Sequence, residues 1–175
     1  MIKKYFFLIF ITFFVDNSAY SAGIESSSKA KSDGREDLSH MNVRNSYFKK
    51  GLDALKQAEK YNKKGKTDKA KNRFNDVIKF LLFANETNPN EPVILNYLGY
   101  SYEKIEDFIM AEIYYEQGLA IDPEHIDINH SLGGFYSRTN RVREAMERLN
   151  VLKSCNCEEY KQLKEIIEGI KKSKY

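Results

Sequence analysis

The sequence predicts an all-α fold: a short α-solenoid of stacked antiparallel helix pairs, closed by a C-terminal capping helix. The first observation behind this is an internal repeat. Leu98, Gly99, Tyr102 and Ala111 recur as Leu132, Gly133, Tyr136 and Ala145, and Pro89 recurs as Pro123, all at an offset of 34 residues. A fixed period of that length marks stacked helical units, none of which buries its apolar face without its neighbours. The second observation is that apolar residues fall at spacings of three and four almost without interruption from Asn42 onward, the period of an amphipathic helix. The chain of 175 residues is 42% apolar and 30% charged, which fits one globular domain and not a disordered chain.

Residues 1–21 have the order of a secretory signal peptide. Lys3 and Lys4 precede an apolar run from Tyr5 to Val15, followed by Asp16, Asn17 and the small-residue segment Ala19-Tyr20-Ser21. As a helix that run covers about 16 Å, roughly half the hydrocarbon thickness of a bilayer, so no stable membrane insertion is expected. The expectation is an exported protein, in a bacterial periplasm or secreted. Residues 22–40 shift to Ser, Lys, Asp, Glu and Gly, with Ile24 and Leu38 the only large apolar residues, and read as a disordered linker. Its r.m.s. reach is about 25 Å.

Residues 41–90 read as an elongated, degenerate helix pair. Phe48, Leu52, Leu55 and Ala58 make one apolar stripe that ends near Gly65; Thr67 and Asp68 then offer a cap for a second helix whose inner face is Ala70, Phe74, Val77, Ile78 and Leu81. From Ala70 to Pro89 is 19 residues, against 12 from Ala111 to Pro123. The excess of seven is about two turns, which keeps the same face inward while lengthening the helix by about 10 Å.

Residues 91–175 hold two closer copies, 92–125 and 126–159, and a capping helix at 158–171. The first copy carries Leu95-x2-Leu98-Gly99-x2-Tyr102, then Ala111-x3-Tyr115 and Pro123. This resembles the tetratricopeptide repeat, whose pattern is W-x2-L-G-x2-Y, A-x3-F and a closing P. Gly99 allows the two helices of the unit to approach, Tyr102 fills the gap between them, and Pro123 ends the unit. The second copy keeps Leu132, Gly133, Tyr136 and Ala145 but has Asn129 for the first aromatic, Leu149 for the later one and Cys157 for the proline. Tyr160, Leu163, Ile166, Ile167 and Ile170 give the last helix one apolar side, with lysines and glutamates opposite, as suits the end of a stack.

The resemblance implies a protein–protein interaction scaffold, because in such arrays the first helix of each unit lines a concave groove. Its solvent-side residues here would be Val93, Asn96, Tyr97, Tyr100, Glu103 and Lys104 in one unit and Asp127, His130, Ser131, Gly134, Ser137 and Arg138 in the next. Tyr97 and Tyr100, three apart, are two amphipathic rings that either anchor an extended peptide or pack on the elongated first pair. Members of the family that clamp a peptide's terminal carboxylate use asparagines and cations where this chain has Tyr97, Asp127 and Ser131, so that clamp is not implied. Resemblance to small exported bacterial repeat proteins implies a peptide or protein partner, in assembly of the cell envelope.

Cys155 and Cys157 are the one local feature with chemistry of its own. In an oxidising compartment they invite a disulfide, and a Cys-x-Cys ring is small enough to be readily reduced. The pair is either structural or a redox pair, the latter making the chain a thiol-active helper of a client held by the repeats. Asn156 reads as the cap of the last helix, with Cys157 in its first turn. His125 falls at the same end of the unit as the two cysteines, but the spacing matches no zinc pattern, and neither metal nor cofactor is expected. No glycine-rich phosphate loop, serine elbow or helical His-Glu pair occurs, so an enzyme is not expected. The net charge of +3, with basic and acidic residues interspersed, does not imply nucleic acid. Self-association of the short array is a third reading.

Overall fold

The computed structural model describes residues 38–87 and 89–169. The signal-peptide segment, most of the linker and the last residues of the capping helix lie outside them. Among the described residues seven α-helices follow in order: α1 (Leu38–Lys63), α2 (Thr67–Thr87), α3 (Pro92–Lys104), α4 (Phe108–Ile121), α5 (Ile126–Arg138), α6 (Val142–Val151) and α7 (Glu158–Ile167), with one 3₁₀ turn at Leu152–Ser154 before α7. Helix α1 already includes Leu38–His40, which composition assigned to the linker. Consecutive helices pair as α1–α2, α3–α4 and α5–α6, α7 packs chiefly on α5, and α3 also touches α5. This is the all-α solenoid with a capping helix.

Three identical turns put the units in register. The backbone N–H of Lys66 donates to the carbonyl of Tyr61 at 3.0 Å, that of Asp107 to Tyr102 at 3.0 Å, and that of Arg141 to Tyr136 at 2.8 Å. The residue before each donor is left-handed: Gly65 at φ 65°, Glu106 at φ 68° and Asn140 at φ 62°. Such a six-residue closure with a left-handed residue satisfies the last carbonyls of the first helix and aims the chain into the second. Tyr61 therefore stands to α1 as Tyr102 does to α3, nine residues before Ala70 as Tyr102 is before Ala111. The degenerate first pair is a true unit of the array, with its extra residues at the far ends of α1 and α2. There Tyr47 packs at a tilt against Phe83 with centroids 4.1 Å apart, and Arg44 reaches Glu91 at 3.3 Å.

The core is built of three buried clusters, one with Phe74, one with Val77, Leu81, Leu95 and Leu98, and one with Tyr115, Ile128 and Leu132, all essentially without solvent contact and bordered in common by partly buried side chains such as Leu55 and Tyr102. Close approach is secured at two equivalent positions. A methyl on Gly99 would meet the Tyr115 ring at 2.7 Å, and one on Gly133 would meet Leu163 of α7 at 2.5 Å. Leu163 of the capping helix thus enters the notch that Gly133 leaves open, while Tyr102 stacks on Tyr114 with centroids 5.3 Å apart.

Asn129, where the repeat pattern has its first aromatic, is fully buried. Its side-chain amide donates to the carbonyls of Pro123 at 2.9 Å and His125 at 3.0 Å, while its Oδ1 accepts from Arg148 at 3.3 Å. Hydrogen bonds to the preceding loop replace the packing an indole would supply. His125 itself is the N-cap of α5, its Nδ1 accepting the Ile128 N–H at 3.4 Å.

Candidate binding groove

The first helices α1, α3 and α5 bound a cleft of about 450 Å³. Leu55, Glu59 and Lys63 contribute from α1, Asn96, Tyr97 and Tyr100 from α3, and Asp127, His130 and Ser131 from α5. Six of the twelve residues expected to line a groove, Asn96, Tyr97, Tyr100, Asp127, His130 and Ser131, are brought together here. The sequence reading missed the α1 wall. Leu55 was assigned to the apolar stripe, and the register that aligns Glu59 and Lys63 with α3 rests on Tyr61, which matches Tyr102 only once the turns are compared.

Tyr97 and Tyr100 pack on the elongated first pair and also line the cleft. Tyr97 lies 6.3 Å from the Phe48 ring of α1, and Tyr100 meets Phe74 edge-on at 6.0 Å. The Tyr100 hydroxyl donates to the Glu59 carboxylate, and the Lys104 ammonium sits 4.9 Å from the ring centroid. Both tyrosines are half-buried on the first unit, not free-standing, and both still line the cleft. Beside them, Asn96 carries a buried Oδ1 that accepts no hydrogen bond.

Glu103, Lys104 and Arg138, also expected along the groove, do not line this cleft. Glu103 is not on a solvent-facing side: it is 8% exposed, one turn after Gly99 and over Tyr115. Its Oε1 pairs with Arg138 at 2.5 Å and has the Lys104 ammonium at 4.0 Å, and its Oε2 accepts from the Tyr115 hydroxyl at 3.5 Å. Burial of the ammonium lowers Lys104 below the ordinary lysine range, which the neighbouring Glu103 only partly counters. Glu103, Lys104 and Arg138 belong to a second cavity, of about 630 Å³, at the turn end of the helices, with Phe108 and Phe135. His130 lines the cleft from a buried position, 4% exposed, and Gly134 is likewise buried. The reason is the enclosure of α5, which is covered by α3 and α4 on one side and α6 and α7 on the other. A period-based reading leaves one face of such a helix open.

On the opposite edge, Glu112 accepts from the Tyr136 hydroxyl at 2.9 Å and from Arg141 at 2.8 and 2.7 Å, tying α4, α5 and the start of α6. Burial, and then that bond to Glu112, raises Tyr136 above the usual tyrosine range, and burial raises Tyr115 well above it.

Cys155 and Cys157 are joined in a disulfide, with Cα atoms 5.1 Å apart. Asn156 is not the cap of α7. It is left-handed at φ 48°, Cys157 takes the N-cap position, and the helix starts at Glu158. Among the described residues, no three His, Cys, Asp or Glu side chains gather as metal ligands, and no helix is long and apolar enough to cross a membrane.

No family model matches the chain, and no curated protein matches it in sequence. Among solved structures it is similar to pilF of Pseudomonas aeruginosa, with TM-score 0.53 and 21% identity over 75% of this chain and 54% of that one. The chain thus spans about half the length of that protein. It is also similar to the first tetratricopeptide module of Spaghetti (RPAP3), solved bound to the HSP90 peptide SRMEEVD, with TM-score 0.47 and 21% identity over 70% and 94% of the two chains. With the three shared turns, the first likeness shows that the fold is of the tetratricopeptide type.

Proposed function

We propose that this chain is a non-catalytic scaffold that holds an extended peptide segment of a partner protein in the cleft between α1, α3 and α5. The observation that carries the reading is the cleft itself, walled by three first helices and lined by the half-buried rings of Tyr97 and Tyr100. The side chains of an extended peptide would find two half-buried rings with polar tips beside the Asn96 side chain. The rings are already fixed, Tyr100 by Glu59 and Phe74, so little rotamer freedom is lost on binding. Compartment enters as part of the same proposal. The charged, apolar and small-residue order of residues 1–21 supports export, and we place the partner in the cell envelope or outside the cell.

The test is selection of a displayed random-peptide library against the protein, with affinities measured by fluorescence anisotropy. Enriched peptides should bind about tenfold or more weakly to Asn96→Ala and to Tyr97→Ala, each checked for native circular dichroism. A library that yields no binder, or binders indifferent to both substitutions, would sink the proposal.

A further inference from the structure

We propose that the Cys155–Cys157 bond is a reversible thiol–disulfide exchange site for a dithiol, with Cys155 the attacked sulfur and Cys157 the leaving one. The two sulfurs sit in different surroundings. Cys155 ends the 3₁₀ turn with its Sγ 3.0 Å from the carbonyl oxygen of Leu152. Once reduced, its S–H donates to that carbonyl, which favours the neutral thiol. Cys157 is the N-cap of α7, and as a half-cystine it accepts no hydrogen bond from the first-turn N–H groups. As a thiolate it becomes the anionic acceptor those groups lack, which is the setting that lowers a cysteine pKa and makes a good leaving sulfur. Of the two first-turn carboxylates, Glu158 is drawn along the helix toward Lys161 at 3.7 Å and Gln162 at 3.5 Å, leaving Glu159 to oppose the thiolate.

The bond also has little structural work to perform. It closes a ring around Asn156 alone, and the entropy a crosslink removes from the unfolded chain is smallest for the shortest loops. Helix α7 is held instead by Leu163 in the Gly133 notch. Asparagine tolerates the left-handed conformation found at Asn156, so the turn that brings the sulfurs together persists after reduction and the bond can reform. Both cysteines are partly exposed and open to an incoming thiol.

The exchange balances without any other reactant. A thiolate of the dithiol attacks Sγ of Cys155; a mixed disulfide forms as the Cys155–Cys157 bond breaks, and the electron pair leaves on Cys157. The second thiol of the reductant, deprotonated, attacks its own sulfur in the mixed disulfide. The reductant departs as a disulfide, and Cys155 takes up the proton. Two electrons have passed to the chain, and the reverse sequence oxidises a dithiol.

The experiment equilibrates the full chain in mixtures of reduced and oxidised glutathione, quenches with acid and counts free thiols by maleimide mass shift. The expected result is two thiols appearing together within the millimolar glutathione range; a bond still oxidised there overturns the proposal. Glutathione trapped on the wild-type protein and located by peptide mass spectrometry should lie on Cys155, and an adduct on Cys157 overturns the order of attack. In single variants of native circular dichroism, Cys155→Ser, which keeps Cys157, should be alkylated near neutral pH about tenfold faster than Cys157→Ser, and equal rates overturn the leaving-sulfur assignment.

Discussion

Gly99 lies so close to Tyr115 that a β-carbon on it would sit 2.7 Å from both Cδ1 and Cε1 of the ring. Tyr115 has no solvent contact, and its hydroxyl reaches the buried Glu103 carboxylate, so the ring has nowhere to swing. Gly99→Ala is therefore expected to destabilise the protein by about 1–3 kcal/mol through overpacking. Urea unfolding would read this as a lower midpoint at unchanged slope. An unaltered midpoint would mean the α3–α4 pair is looser than the contact implies.

Glu106 offers a gain where Gly99 offers a loss. Its left-handed φ of 68° matches Gly65 and Asn140 in the equivalent turns, but glutamate bears the strain that glycine and asparagine avoid. Glu106→Gly is expected to stabilise by about 0.5–1 kcal/mol, the relieved strain outweighing the added freedom of the unfolded chain. A rise in the thermal midpoint of a few degrees would confirm it; a fall would show that the carboxylate does more at the turn than its backbone suggests.

Asn129 tests whether the missing aromatic is compensated by hydrogen bonds. Asn129→Asp removes the amide donor and sets a carboxylate against the carbonyls of Pro123 and His125. The expected cost is about 2–3 kcal/mol, greater than for Asn129→Leu, which buries no charge. If leucine proves the more damaging of the two, shape and not hydrogen bonding governs that position.

Alkaline conditions should unfold this protein more readily than its charge alone would suggest. Burial is the main cause that raises Tyr102, Tyr114, Tyr115 and Tyr136 above their unfolded value of 10.0. Above that pH the unfolded chain releases protons that the folded one keeps, so stability falls. The tyrosine contribution is present in full below pH 10.0 and is lost as pH climbs through the raised folded values. Lys104 works the other way, since its lowered folded value makes stability rise with pH between that value and 10.5, but it is one group against four. Thermal midpoints measured from about pH 8 to about pH 11 should fall most steeply at the top of the range, and less steeply in Tyr136→Phe. A flat profile would contradict the burial of these hydroxyls.

Much of the architecture was legible because a repeat reports itself. Leu98, Gly99, Tyr102 and Ala111 with their copies placed α3 to α6 and, through Tyr160 and Leu163, the capping helix, since spacing fixes which face must be covered. The groove was legible only where one helix face sufficed. Asn96, Tyr97 and Tyr100 on α3 met that condition, and so in part did His130 and Ser131 on α5. Glu103 escaped because its burial depends on Arg138, 35 residues later, and on Tyr115 from the partner helix. The role of Asn156 escaped because a left-handed residue and a helix cap draw on the same residue types.

Helix α1 is 26 residues long and α3 is 13, and the shared turn aligns their C-terminal ends. About 20 Å of α1 therefore rises past the start of α3, at ~1.5 Å per residue. The cleft is a stepped shelf with banks of unequal height, one closed by a long rail and the other by the short α5. The α1 side of the cleft therefore stands higher than its α5 side by about half the length of α1, so the two banks offer surfaces of unequal extent.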